Sequence, residues 1–459
     1  MNLFLQSERG PIHFVGIGGA GMSALALVAL RRGLPVTGSD ADISGTADLV
    51  AGGALVFAGA GVEAVAQARA VVASAAIPAA HPDLVRAREL RIPVLSRKVA
   101  LAGLIGDATC VAIAGTHGKT TTTVMTTEAL TGAGLAPTGL AGGRVGLWGG
   151  NAKLASDRLF VVEADEYDQA FLSLRPTIAV INNVEPDHLE CYGSVEAMEA
   201  AYVQFAGPAT RILIGTSDAG SDRVAAQLPA AGVWRFGPAP ADLALHRVAQ
   251  DADGTDVVVR LPTGGEVGFR LGVPGLHNVR NATAALGVAV ALGGNVEQAA
   301  AALGQFRGVG RRFERIGEAS GVSVVDDYAH HPTELVATIA AARQAFPARR
   351  LVAVFQPHLF SRTLLHARAM GEALAAADFV VVADVYGARE QPVPGVTGGL
   401  VADVVREAGT EVSFEPNRDG LGNAVVGRLR PGDVLITMGA GDVTRVGPEV
   451  LRLLTERQG

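Results

Sequence analysis

Lysine is nearly absent from this chain: Lys98, Lys119 and Lys153 stand against thirty-five arginines in 459 residues. Cysteine is equally scarce. Cys110 and Cys191 cannot build a disulfide framework and match no metal spacing, which excludes the small secreted scaffolds and fits a reducing compartment. No block of basic residues occurs and the net charge is −7, so neither a nucleic-acid surface nor an anionic membrane is the expected partner. The uncharged run Phe14 to Leu30 is slightly short for a membrane span and has four glycines in its first eight residues. Met1 to Pro11 lacks a basic segment leading into an apolar stretch and a cleavage site. These absences together predict a cytoplasmic protein without membrane insertion.

Where lysine is avoided, a retained one is informative. Lys119 lies in Gly115-Thr116-His117-Gly118-Lys119-Thr120-Thr121, directly after the apolar run Cys110 to Ala114. Glycines let backbone N–H groups turn towards phosphate oxygens, and the following helix N-terminus adds its positive end. The lysine meets the outer phosphates and a hydroxyl can hold Mg²⁺. Arginine is a poor substitute for a compact ammonium at such a site. A full phosphate-binding loop has a further glycine five residues before the second one, and here that position is Ile113. The loop is a shortened form, and it predicts a nucleoside triphosphate.

Apolar strand-like runs alternate with Ala/Leu-rich stretches throughout, the pattern of α/β layers with mainly parallel sheets. Three blocks are expected, 1–107, 108–313 and 314–459, each large enough for its own core. In the first, strand Ile12 to Val15 leads into Gly16-Ile17-Gly18-Gly19-Ala20-Gly21, and Asp40 closes the next strand nineteen residues after Gly21. That is the dinucleotide fingerprint. It reports a pyrophosphate at a helix N-terminus, which NAD and a UDP-sugar both carry, so a nicotinamide oxidoreductase stays open at this point.

In the second block, strand Leu159 to Val162 runs into Glu163-Ala164-Asp165-Glu166-Tyr167-Asp168, and strand Thr177 to Ile181 runs into Asn182-Asn183-Val184-Glu185-Pro186-Asp187-His188. Acidic clusters at strand C-terminal ends, downstream of a lysine loop, read as Mg²⁺ ligands and water-holding groups. Asn278 and Asn281 are one turn apart on an alanine-rich helix, suited to a base edge or, for Asn278, to capping. Arg311 and Arg312 precede the third block. There, strand Val322 to Val325 ends in Asp326-Asp327-Tyr328-Ala329-His330-His331-Pro332 and strand Leu351 to Phe355 in Gln356-Pro357-His358-Leu359-Phe360-Ser361-Arg362. Those side chains could handle an anionic substrate and an amine.

Six of these signatures, in this order, resemble the Mur ligases over essentially the whole chain, and within them the branch that adds alanine. The resemblance implies a Rossmann-like N-terminal domain for a UDP-sugar, a central ATPase domain of the phosphate-loop type and a Rossmann-like C-terminal domain. It implies an ATP- and Mg²⁺-dependent amide ligase acting on UDP-N-acetylmuramate and L-alanine in peptidoglycan synthesis, as a monomer or weak homodimer. By the same resemblance Gly16, Gly18, Gly19, Ala20, Gly21, Asp40 and Ser74 would hold the UDP-sugar. Gly115, Thr116, His117, Gly118, Lys119, Thr120, Thr121, His277, Asn278, Asn281, Arg312 and Asp327 would address ATP. Thr120 and Glu163 would hold one metal ion and His188 a second. Tyr328, His330, His358 and Arg362 would face the alanine and the reacting carboxylate, so that Lys119, Glu163, His188, His330 and Arg362 carry the chemistry. Three departures stand out. Leu359 replaces an arginine common beside His358, Tyr167 replaces a serine often seen in the acidic cluster, and no lysine follows Lys153 to bridge metals as a carbamate.

Overall fold

The computed structural model describes residues 10–216, 218–388 and 390–457, so the stretch inspected for a leader lies almost wholly outside them. The first sheet is built from β1 (Ile12–Val15), β2 (Val36–Asp40), β3 (Leu55–Ala58), β4 (Ala70–Ala73) and β5 (Val94–Ser96), in the order β3-β2-β1-β4-β5. All four ladders are parallel. β1 is apolar on both faces because both are covered, as in doubly wound folds. Ile12 and Phe14 pack with the helices Ala20–Arg31 and Arg97–Ile105, while Val15 joins Val65, Leu84 and Ala87 on the other side. The strand order reverses between β1 and β4, which opens a crevice at their C-terminal ends.

The second sheet contains β6 (Thr109–Ala114), β7 (Thr138–Val145), β8 (Gly150–Lys153), β9 (Leu159–Glu163), β10 (Ile178–Ile181), β11 (Arg211–Gly215), β12 (Val233–Pro238), β13 (Leu243–Asp251), β14 (Gly254–Arg260) and β15 (Glu266–Leu271). Its order is β15-β14-β13-β12-β11-β10-β6-β9-β7-β8. β6 lies between β10 and β9, parallel to both. The lysine loop and the two acidic clusters therefore leave one edge of the sheet side by side. The arm β13 to β15 was not anticipated from the sequence, although the alternate burial of Glu266–Leu271 is the period-2 pattern of a half-buried strand.

The third sheet has β16 (Glu314–Ala319), β17 (Val322–Asp327), β18 (Leu351–Phe355), β19 (Phe379–Ala383), β20 (Val412–Glu415) and β21 (Val434–Met438), ordered β16-β17-β21-β18-β19-β20. It begins one strand earlier than the Val322 run suggested. β16 is antiparallel to β17 and mostly exposed, so it lacks the continuous apolar run that marked the others.

The three sheets fall into two compact units: 1–248 with 257–270 and 280–306, and 249–256 with 271–279 and 307–459. The expectation of a separate core for each of the first two blocks needs correcting. One apolar cluster runs from Ile12 and Phe14 through Leu25, Leu104 and Ala112 to Phe160 and Phe171. The helix Ala20–Arg31 allows this because its small residues let β7 and β8 approach; Ser23 and Asn151 exchange hydrogen bonds there. Among the described residues no helix is long and apolar enough to cross a membrane.

Candidate functional site

In the first unit the lysine loop is laced to its neighbour strand. Gly115 (φ +130°) passes so close to β10 that a Cβ would stand 3.0 Å from the Asn182 backbone nitrogen, so only glycine fits. The Thr116 hydroxyl donates to the Glu185 carbonyl at 3.0 Å, and the His117 amide donates to Asn183 Oδ1 at 2.8 Å. Asn281 packs against Gly118. The sheet edge thus holds the loop open for the helix Lys119–Gly132, whose Thr120 and Thr121 are buried.

Lys119 Nζ donates to the carbonyls of Gly115 (2.8 Å) and Thr116 (3.2 Å) and to Glu166 Oε1 (2.7 Å). Burial works against its charge, but Glu166, Asp165 and Glu163 outweigh it and hold the ammonium above the usual lysine range. Glu166 is buried, and its second oxygen, Oε2, has no hydrogen-bond partner. Its backbone carbonyl accepts from the Tyr192 hydroxyl. The sequence placed Glu166 in an acidic cluster without giving it a role of its own. Its pairing with a lysine 47 positions earlier is set by the adjacency of β6 and β9, which no local spacing encodes.

The remaining acids of that cluster are divided among separate partners. Glu163 accepts from the Thr120 hydroxyl at 3.2 Å and from the Gly142 amide at 2.7 Å. Asp165 pairs with Arg97 at 2.9 Å and Asp168 with Lys98 at 3.1 Å, both reaching back to the first sheet's layer. Of the proposed metal-holding groups, Thr120 and Glu163 therefore meet. His188 (φ +53°) lies edge-on to Tyr167 at 5.0 Å, with Asp187 and Glu190 beside it.

At the first sheet's crevice, Gly16 (φ +81°) faces Ser74, where a Cβ would stand 3.3 Å from the serine Cβ. The Gly18 amide donates to Asp40 Oδ2 at 2.8 Å. Gly16, Gly18, Gly19, Asp40 and Ser74 are thus gathered around the N-terminus of the helix Ala20–Arg31.

The second unit brings together the rest. Arg311 and Arg312 each lie 4.8 Å from the Tyr328 ring centre. Tyr328 meets His330 edge-on at 5.4 Å, and His330 is 6.0 Å from His358. Arg362, buried, approaches His358 Nδ1 at 3.4 Å. Two residues outside the expected set join them: Glu334, which accepts from the His330 amide at 2.9 Å and lies 3.2 Å from its Nδ1, itself on the Tyr328 carbonyl at 2.9 Å, and Tyr386, stacked on His358 at 5.9 Å. Leu359, at the position where the resembled family commonly has an arginine, is buried with φ +70° and donates its amide to the Tyr386 carbonyl. Asp327 braces the local backbone, accepting from the Phe313 and Ala329 amides, each at 2.7 Å, and from the Thr338 hydroxyl. Burial pushes its carboxyl up to about 6, against the pull of Arg312. Asn278 donates to the Pro274 carbonyl at 2.7 Å, and His277 packs against Gly275.

Known proteins resemble the chain over nearly its whole length. Family models described as Mur ligase family, catalytic domain; Mur ligase middle domain; and Mur ligase, glutamate ligase domain match residues 11–109, 113–289 and 311–441. A UDP-N-acetylmuramate–L-alanine ligase of Mycobacterium sp. (strain JLS) is 44% identical over 472 residues, covering 99% of this chain and 97% of the relative. The solved UDP-N-acetylmuramate-alanine ligase of Thermotoga maritima superposes with a TM-score of 0.83 at 28% identity, over 98% of this chain and 100% of its own. A murein peptide ligase of Psychrobacter arcticus 273-4 gives 0.72 at 25% identity, over 97% and 99%.

Proposed function

The chain belongs to the Mur ligase family, and from that premise we propose that it joins L-alanine to the lactyl carboxylate of UDP-N-acetylmuramate at the expense of ATP, a cytoplasmic step of peptidoglycan synthesis. The observation that carries the reading is the lysine loop: Lys119 poised on Gly115 and Thr116 carbonyls, with Thr120 and Glu163 meeting beside it. An ammonium that its carboxylate neighbours keep protonated suits a site that receives phosphate oxygens.

The roles divide by block. Residues 1–107 hold the UDP-sugar, with the amides of the Gly16–Gly21 turn at its pyrophosphate. Residues 108–313 hold ATP, with Asp327 of the third block contributing, and residues 314–459 also hold the amino acid. Thr120 and Glu163 suit Mg²⁺, since both offer oxygen, which that ion prefers. When bound, it would neutralise phosphate charge. The lactyl carboxylate attacks the γ-phosphorus, the bond to ADP breaks, and an acyl phosphate forms. Lys119 stabilises the charge on the transferring group, so this step rests on positioning and electrostatics. Alanine's neutral amine then attacks the acyl carbon and inorganic phosphate leaves. His330, whose Nδ1 meets the Tyr328 carbonyl at 2.9 Å with Glu334 beside it, accepts the proton the amine gives up. Arg362 and His358 orient the amino acid's carboxylate.

Phosphate release with UDP-N-acetylmuramate, ATP and Mg²⁺ across a panel of amino acids tests this reading. L-Alanine should support turnover and omission of either co-substrate should abolish it. Product with a free tripeptide but none with alanine would move the chain to the peptide-recycling ligases.

A further inference from the structure

Within the first unit, a cavity of about 180 Å³ lies between the helix Ala20–Arg31 and strands β7 and β9. Gly21, the last glycine of the fingerprint, and Glu163 both line it. Its walls include the apolar side chains of Leu25 and Leu140, together with two carboxylates, Glu163 and Asp165. Arg97 is the one lining residue with positive charge. It packs so tightly on Gly21 that a Cβ there would collide with its guanidinium.

We infer that Arg97 is a specificity-determining residue that receives the lactyl carboxylate of the sugar substrate, exchanging Asp165 for it; this rests on the ligase reading above. An anionic group entering a cavity walled by two carboxylates is repelled unless a cation meets it, and a guanidinium fork matches a carboxylate with two hydrogen bonds. The resting pair is easily exchanged. Arg97 and Asp165 side chains are each 40% exposed, and a half-exposed ion pair contributes little. Asp165 also keeps a second donor, the Tyr167 amide at 3.1 Å, when the arginine turns away. Arg97, against Gly21, thus shares one cavity with the turn that would hold pyrophosphate and the group that would hold the metal ion.

Calorimetric titration of the full chain with UDP-N-acetylmuramate and with UDP-N-acetylglucosamine, which lacks the lactyl group, tests this. The wild-type protein should prefer the first. In Arg97→Gln that preference should fall about 10- to 100-fold, as expected for a lost charge-assisted pair, with the affinity for UDP-N-acetylglucosamine unchanged. Arg97→Lys, which keeps the charge without the fork, should fall between, and Asp165→Asn should keep the wild-type preference. An Arg97→Gln protein that loses both ligands equally, or that keeps the full preference, overturns the inference. So does an Asp165→Asn protein that loses as much preference as Arg97→Gln, because Arg97 would then act as a tether. Wild-type protein that binds neither ligand refutes the ligase reading itself, whereas a preference that survives in Arg97→Gln refutes only the role of the arginine.

Discussion

Two strand–glycine–helix turns in the first unit carry a carboxylate in opposite ways. At the Gly16–Gly19 turn, Asp40 accepts from a backbone amide and is partly exposed. At the Gly115–Gly118 turn, Glu166 is buried and holds the ammonium of Lys119. The first turn can bind a pyrophosphate through N–H groups alone, and its acid, held by the Gly18 and Asp42 amides but partly exposed, can also accept from a ribose. The second is built around a buried charge pair, so its chemistry hangs on the lysine and its counter-ion. Substitutions at the lysine turn should therefore cost far more than equivalent ones at the other.

The largest contrast is expected from Lys119→Ala. Removing the cation from the transferring phosphate should lower kcat for phosphate release by on the order of 10³-fold or more, with UDP-N-acetylmuramate affinity within a factor of about two. Loss of sugar affinity on the same scale would mean that the two turns are not independent. Gly115→Ala comes next, because the left-handed φ of +130° and the close Asn182 backbone leave no room for a Cβ. Thermal unfolding should show a loss of about 1–3 kcal/mol.

Glu166→Gln sharpens the comparison through charge rather than size. Lys119 is kept above its ordinary range by its carboxylate neighbours in spite of burial. Taking away the negative charge lowers the lysine's pKa, so the protonated fraction is lost at a lower pH as pH rises. The alkaline limb of kcat/KM for ATP should move down in pH, with about a tenfold or greater loss at neutral pH. An unmoved limb would mean that Glu166 does not hold the charge.

How much of this was legible depends on whether the cause is local. The strands before the Gly16 and Gly115 turns, and the placing of acids and histidines at the ends of β9, β10, β17 and β18, follow from apolar runs ending in glycine or polar residues. Partners set by sheet order were not legible. Arg97 meets Asp165 across 68 positions, and Asp327 spends both oxygens on the amides of Phe313 and Ala329 and on Thr338, although its motif alone suggested a ligand contact. Tyr386 reaches His358 only because β19 lies beside β18. The β13–β15 arm was legible in part, since Glu266–Leu271 alternates cleanly, but no motif drew attention to it.

Asp40→Asn is the gentlest break. The Gly18 amide donates at 2.8 Å to the Asp40 carboxylate, and asparagine keeps an oxygen for it, so the turn holds its shape while the charge is removed. A negative group beside a pyrophosphate repels it, yet the same carboxylate can accept from a ribose hydroxyl, and the two effects oppose each other. The hydroxyl contact should prevail, because Asp40 is partly exposed and its repulsion is screened by water. Affinity for UDP should drop about two- to fivefold with kcat unchanged. A tighter complex in Asp40→Asn would instead mean that repulsion dominates, so that the acid at this turn opposes the ligand whereas Glu166 at the other turn supports it.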